Sequence, residues 1–200
     1  MLPTVRYLDQ CEGWPQSGEH ILAQYDADTI VVYQAYKPAI GQFAIAHQQL
    51  GGPEFSFNRM SWIKPNFLWM MYRSGWATKD GQQTILALRL RRRFFDELLA
   101  VAVASSFEAS GLPDRLAWQA AVASSDVRRQ WDPDHDPSGA KLARRAVQLG
   151  LRGEMLRRCA ASELLEVIDM APFVAQQRLN AQGDYVLLQT PVEQIYVPES

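Results

Sequence analysis

One stretch of this sequence holds most of the groups that could bind or work on an anion. Residues 59–76 read RMSWIKPNFLWMMYRSGW, so Arg59, Lys64 and Arg73 supply cations, Ser61 a hydroxyl, and Trp69, Tyr72 and Trp76 ring faces. Helical spacing from Asn66 sets Trp69, Arg73 and Trp76 on one face with Tyr72 beside them, which lays the guanidinium against aromatic rings. Nearly every position before Arg73 is large and apolar, so this helix is expected to be buried. An ion on a buried helix needs a partner, either an internal carboxylate or a bound anion. Lys64, Arg59 and Ser61 stand at the N-terminal side of the same helix, where backbone N–H groups and the macrodipole also favour negative charge. Phosphate is the ligand these groups suit.

Other candidates are more dispersed. Tyr33, Gln34 and Tyr36 lie at the end of a strand where the chain turns into a helix, a common location for ligand groups. In QLGLRGE, residues 148–154, Gln148 shares a strand face with Ala146 and Gly150, while Arg152 and Glu154 follow the strand end. Two glycines flanking Leu151 let a ligand or another backbone approach closely. Asp132, Asp134, His135 and Asp136 fall in a proline-bounded segment that reads as a turn-rich loop, without the terminal Glu of a calcium loop. With three His and two Cys in the whole chain, no metal site is expected. Neither a nucleophile elbow nor a Rossmann or P-loop pattern occurs.

These groups must be positioned by a folded core. Of 200 residues 48% are apolar and 21% charged, which excludes disorder, collagen and a coiled coil as the main state. No apolar run approaches the roughly 20 residues that cross a bilayer, and the N-terminus lacks a signal pattern, so a soluble, cytoplasmic protein without a membrane partner is expected. The net charge of −2 conceals an asymmetry: residues 59–93 hold eight basic groups and one acidic, while 1–58 and 159–200 are acidic. The cationic block points to a dinucleotide, another phosphate-bearing ligand or nucleic acid, unless the acidic ends fold over it.

Pattern predicts one α+β domain over residues 1–200, with mixed or antiparallel sheets. Strands are expected at 29–35, 57–63, 84–91, 127–131, 145–151 and 185–189. Helices are expected at 38–50, 66–76, 94–106, 113–123, 154–168 and 172–180, with a loop at 132–139.

The runs RMSWIKPNFLWMMYRSGW, YQAY at 33–36, QWDP at 130–133 and QLGLRGE together resemble one uncharacterised domain-of-unknown-function family that is widespread in microbes. The resemblance covers essentially the whole chain and carries no established activity. Asn66 stands where Ser is expected, and the stretch around Cys159 is less aromatic. At the level of fold, the order of strand, helix, Ser61-bearing strand, aromatic helix and strand is also similar to the ADP-ribosyltransferases. That likeness implies NAD as the bound dinucleotide. Tyr33, Gln34 and Tyr36 would flank nicotinamide, and Arg59, Lys64 and Arg73 would meet the diphosphate. Gln148 or Glu154 would take the place of the catalytic Glu, and nucleic acid or protein would be the acceptor. The alternative is a non-catalytic nucleic-acid or nucleotide-binding module using the same basic and aromatic surface.

Overall fold

The structure, a computed structural model, describes residues 2–199. In chain order its elements are β1 (Thr4–Arg6), α1 (Tyr7–Cys11), β2 (Gly18–Glu19), β3 (Leu22–Ala23), β4 (Thr29–Tyr36), α2 (Pro38–His47), β5 (Ser61–Ile63), α3 (Phe67–Ser74), β6 (Thr84–Arg91) and α4 (Arg92–Val101). There follow β7 (Val103–Ala104), α5 (Arg115–Ser124), β8 (Val127–His135), β9 (Lys141–Leu151), α6 (Gly153–Ala160), β10 (Leu164–Asp169), α7 (Ala171–Asn180), β11 (Gln189–Pro191) and β12 (Gln194–Ile195). The fold is α+β, as the pattern indicates. No helix among the described residues is long and apolar enough to cross a membrane.

Two sheets make the frame. In the first, β6 lies antiparallel between β4 and β10. In the second, β8 lies between β7 and β9, while β9 also pairs with β2 at Arg144–Arg145 and with β5 at Leu149–Leu151. The sheets meet at one residue pair: Tyr33 N–H donates to the Lys64 carbonyl at 2.7 Å, and Lys64 N–H donates to the Tyr33 carbonyl at 3.2 Å. Because successive strand residues face opposite ways, β4 feeds two cores. Ile30 and Val32 join Phe94, Phe95 and Leu98 of α4 and Leu156 of α6. Val31 and Tyr33 join Phe67, Leu68 and Met71 of α3 and Val174 of α7.

Several expected boundaries are corrected. The helix predicted to Leu50 stops at His47 because Gln48 turns left-handed (φ 54°) and its side-chain amide pairs with both backbone groups of Val167. The strand predicted over 57–63 is limited to 61–63 by its short partner run on β9. The helix predicted to Ser106 ends at Val101, and Val103–Ala104 instead extend the second sheet. Asp132 to Asp134 are not loop but part of β8, and the hairpin turn is tightened by Asp136, whose carboxylate accepts from Ser138 and Ala140 N–H. The predicted 154–168 helix divides into α6 and the edge strand β10, where Glu166 pairs with Arg89 of β6 at 2.9 Å. In place of the strand expected over 185–189, β11 begins only at Gln189, because Tyr185 is held at φ 63°.

The segment 189–197 has an unanticipated structural role at α3. Asn66 caps this helix by accepting from Trp69 N–H at 2.7 Å. The buried Glu193 carboxylate accepts from Phe67 N–H at 2.6 Å and from Asn66 Nδ2 at 3.2 Å. Burial holds that carboxyl well above the usual carboxylate range. The helix N-terminus expected to receive a ligand phosphate is therefore filled from within the chain. Replacing Glu193 with Ala leaves two buried donors unpaired and should destabilise the protein by about 2–4 kcal/mol in equilibrium denaturation.

Candidate cleft between the sheets

Beyond the Tyr33–Lys64 pair, β4 and β5 diverge and leave a recess of about 540 Å³. Gln34 and Tyr36 of β4, Ser61 of β5, Lys64 just beyond it, Met70 and Arg73 of α3, and Gln148 of β9 line it, together with Arg59, Met60, Trp62, Gln82 and Gln130. Among the described residues none of the three cations, Arg59, Lys64 or Arg73, forms an ion pair. The acidic C-terminal region neutralises the other half of the basic block instead: Arg89, Arg91 and Arg92 pair with Glu166, Glu163 and Glu199. The acidic end thus covers one part of the block and leaves the part at the recess without an internal carboxylate among the described residues.

The polar floor is ordered by two networks. Gln34 Nε2 donates to Ser61 Oγ at 2.8 Å, Tyr36 donates its phenolic proton to Gln34 Oε1, and the Ser61 and Tyr36 hydroxyls lie 3.1 Å apart. If the Ser61 hydroxyl donates to Tyr36, the three donors form a closed ring, and every side chain keeps one fixed orientation. Burial raises the Tyr36 phenol far above its usual range, so it stays protonated. In the second network the Asp132 carboxylate accepts from Gln148 Nε2 at 2.7 Å and from Gln130 Nε2 at 2.8 Å. Gln130 and Gln148 are direct cross-strand partners, so they share one face of the β8–β9 ladder. Anchoring Nε2 on Asp132 leaves Gln148 Oε1 as an acceptor at the recess.

Lys64 is the most perturbed cation. It is 4% exposed, its ammonium lies 5.2 Å from the Trp69 ring, and it donates weakly to the Trp62 carbonyl at 3.4 Å. Burial first, and then the neighbouring Arg73 guanidinium, bring it down to about 7, with Asp132 acting the other way. An amine held partly neutral by such neighbours gains its proton when an anion arrives.

The other candidates are placed elsewhere, each for a local reason. Tyr33 is fully buried against Phe67, on the opposite face of β4 from Gln34 and Tyr36. Trp69 is buried beside His135. Tyr72 is exposed and stacks on His135. Trp76 does not follow Arg73 around the helix, because Gly75 (φ 58°) and Trp76 itself (φ 54°) have already left helical geometry; its indole donates to the Pro137 carbonyl and packs on Phe67. Arg73 is therefore exposed at the cleft and needs no internal carboxylate. Arg152 caps the end of α5 through the Val122, Ala123 and Ser125 carbonyls, and Glu154 sits exposed in the first turn of α6 with its N–H held by Asp126. Neither lines the recess. Gly150 is approached by Met60 and Trp62 rather than by a ligand, and Gly153 (φ 53°) by Asp126. Asp132 and Gln130, which sequence reasoning missed, are marked by the cross-strand pairing of β8 and β9, a signal hidden while Asp132 is read as loop. Among the described residues no group of three or more His, Cys, Asp or Glu side chains is placed to hold a metal.

Two outcomes follow from this geometry. The Lys64 amine has a folded-state value below its unfolded one, so its charged form costs stability fully below about pH 7, and that cost disappears as pH rises through the unfolded value. Lys64→Met should accordingly stabilise the protein by up to about 5 kcal/mol at pH 6, taking ~1.4 kcal/mol per pKa unit over the drop from 10.5 to about 7, with the gain shrinking toward pH 10.5 in thermal melts. At Gly150 an added Cβ would lie 2.6 Å from Met60 Sδ and 2.9 Å from the Trp62 ring. Gly150→Ala should cost about 1–3 kcal/mol and shift the Trp62 fluorescence, because the ring must move at the cleft wall.

The family model described as a domain of unknown function (DUF4291) matches residues 20–196. No curated protein matches the chain.

Proposed function

The chain belongs to this family of unknown function, and from that premise we propose that the cleft binds NAD as a substrate and transfers its ADP-ribosyl group to a macromolecule. The observation that carries this reading is the meeting of three unpaired cations with a carboxylate-anchored amide in one recess. Arg59, Lys64 and Arg73 suit a diphosphate, and Tyr36 and Trp62 offer ring surface for nicotinamide. The order from β4 through α2, β5, α3 and β6, with Ser61 on the short strand, also supports the likeness to ADP-ribosyltransferases.

In this mechanism the bond from ribose C1′ to the nicotinamide nitrogen breaks, and its electron pair leaves on nicotinamide, which departs neutral. A lone pair of the acceptor forms the new bond to C1′, and the acceptor proton passes to solvent. Gln148 stands where the likeness implies a Glu. Its oxygen can orient a ribose hydroxyl, and the Asp132 carboxylate behind its Nε2 polarises the amide, making that oxygen a stronger acceptor toward the ribose.

A second reading is favoured by one observation: among the described residues no carboxylate lines the recess itself. A non-catalytic nucleotide-binding module needs none. The two separate on incubation with adenylate-labelled NAD and lysate fractions depleted of nucleic acid or of protein. Label should pass to macromolecule and vanish with Arg73→Ala, which as an exposed change should move stability by no more than about 0.5 kcal/mol. Gln148→Ala should keep NAD affinity within about twofold and lose about 100-fold in transfer. Absence of transfer in every fraction contradicts the transferase, and NAD binding that survives Gln148→Ala then favours the module.

A further inference from the structure

A second recess, of about 610 Å³, adjoins the cleft through a shared wall, Gln130. From the cleft side Gln130 donates to Asp132, and from the other side its Oε1 accepts from Ser105 Oγ at 3.2 Å. Arg129, Trp131 and Arg145 line this second recess, with Glu19 the one carboxylate among the described residues. Among the described residues neither Arg129 nor Arg145 forms an ion pair.

The recess lies along the outer edge of β8, where pairing with the two-residue β7 has run out. An open strand edge commonly receives a peptide strand. Here two of its carbonyls are already engaged, Arg129 by Ser105 N–H at 2.9 Å and Trp131 by the Arg145 guanidinium. That leaves two guanidinium groups with spare donors on either side of an indole. Such a set suits alternating phosphate and base better than a backbone ladder.

Resting on the transferase reading, we propose that this second recess holds the acceptor, and that the acceptor is a single-stranded nucleic acid. Arg129 and Arg145 contact successive phosphates, and Trp131 offers a stacking surface for a base. The strand then passes Gln130 and presents a nucleophile to the cleft from the Gln148 side.

A fluorescein-labelled, single-stranded 12-nucleotide oligonucleotide tests this by anisotropy without NAD, alongside NAD affinity measured separately. Arg129→Gln/Arg145→Gln should weaken oligonucleotide binding at least about tenfold, flatten its salt dependence by about two phosphate contacts, and leave NAD affinity unchanged. Arg145 is exposed and Arg129 half-buried at the margin of the core face, and an unchanged melting curve confirms the fold. Trp131→Leu should weaken binding while leaving the salt slope intact. Failure of the oligonucleotide to bind, binding indifferent to the arginine pair, or label transferred only to protein overturns the proposal. NAD that fails to bind while the oligonucleotide binds through the arginines contradicts the transferase reading and leaves this strand-binding surface standing.

Discussion

The arrangement depends on how narrowly the two sheets are joined. A single antiparallel residue pair, Tyr33 with Lys64, stitches β4 to the strand that continues into the second sheet. Had the ladder continued, Gln34 and Tyr36 would face a neighbouring strand and the chain would form one closed surface. Because it stops, the strands splay and the side chains next along each become the floor of a cleft. The same pair fixes Lys64: its backbone is committed to β4, so its ammonium cannot withdraw to solvent and is held under Trp69 and beside Arg73.

Keeping that cation buried without a carboxylate partner is unfavourable, and the surroundings explain why it is tolerated. The nearby acidic groups are engaged elsewhere, with Glu193 on the N-terminus of α3, Asp134 on Arg144, and Asp132 between two glutamine amides. The cleft is thereby left with a cationic face and a rigid hydrogen-bonded floor. The proposed diphosphate would supply the countercharge that no side chain provides there.

Much of this was legible in the residues, and the failures have identifiable physical causes. The long, strongly patterned strands β4 and β6 and the capped helix α3 are readable because periodicity and end signals agree along them. Two-residue strands such as β2 and β3 have no period to read. Nearness in sequence groups Tyr33 with Gln34 and Tyr36, although the twofold alternation of a strand separates it from them. Helical spacing carries Trp76 along the face of Arg73, although the glycine at 75 is a stop signal. Asp132 was obscured by its prolines: it sits in an extended strand because pairing with β9 outweighs local turn preference, a tertiary effect that no short window contains. Glu193 lies more than a hundred residues from the helix it caps, and only the folded chain brings them together.

If the cleft around Lys64 receives a diphosphate, the Lys64 amine must respond to it, and NMR titration with carbon-13 at its ε position reads that response. The midpoint should lie near 7 for the protein alone and rise clearly when NAD is added, since the diphosphate supplies the missing countercharge. A midpoint near the ordinary lysine value of about 10.4, unmoved by NAD, would contradict diphosphate binding there.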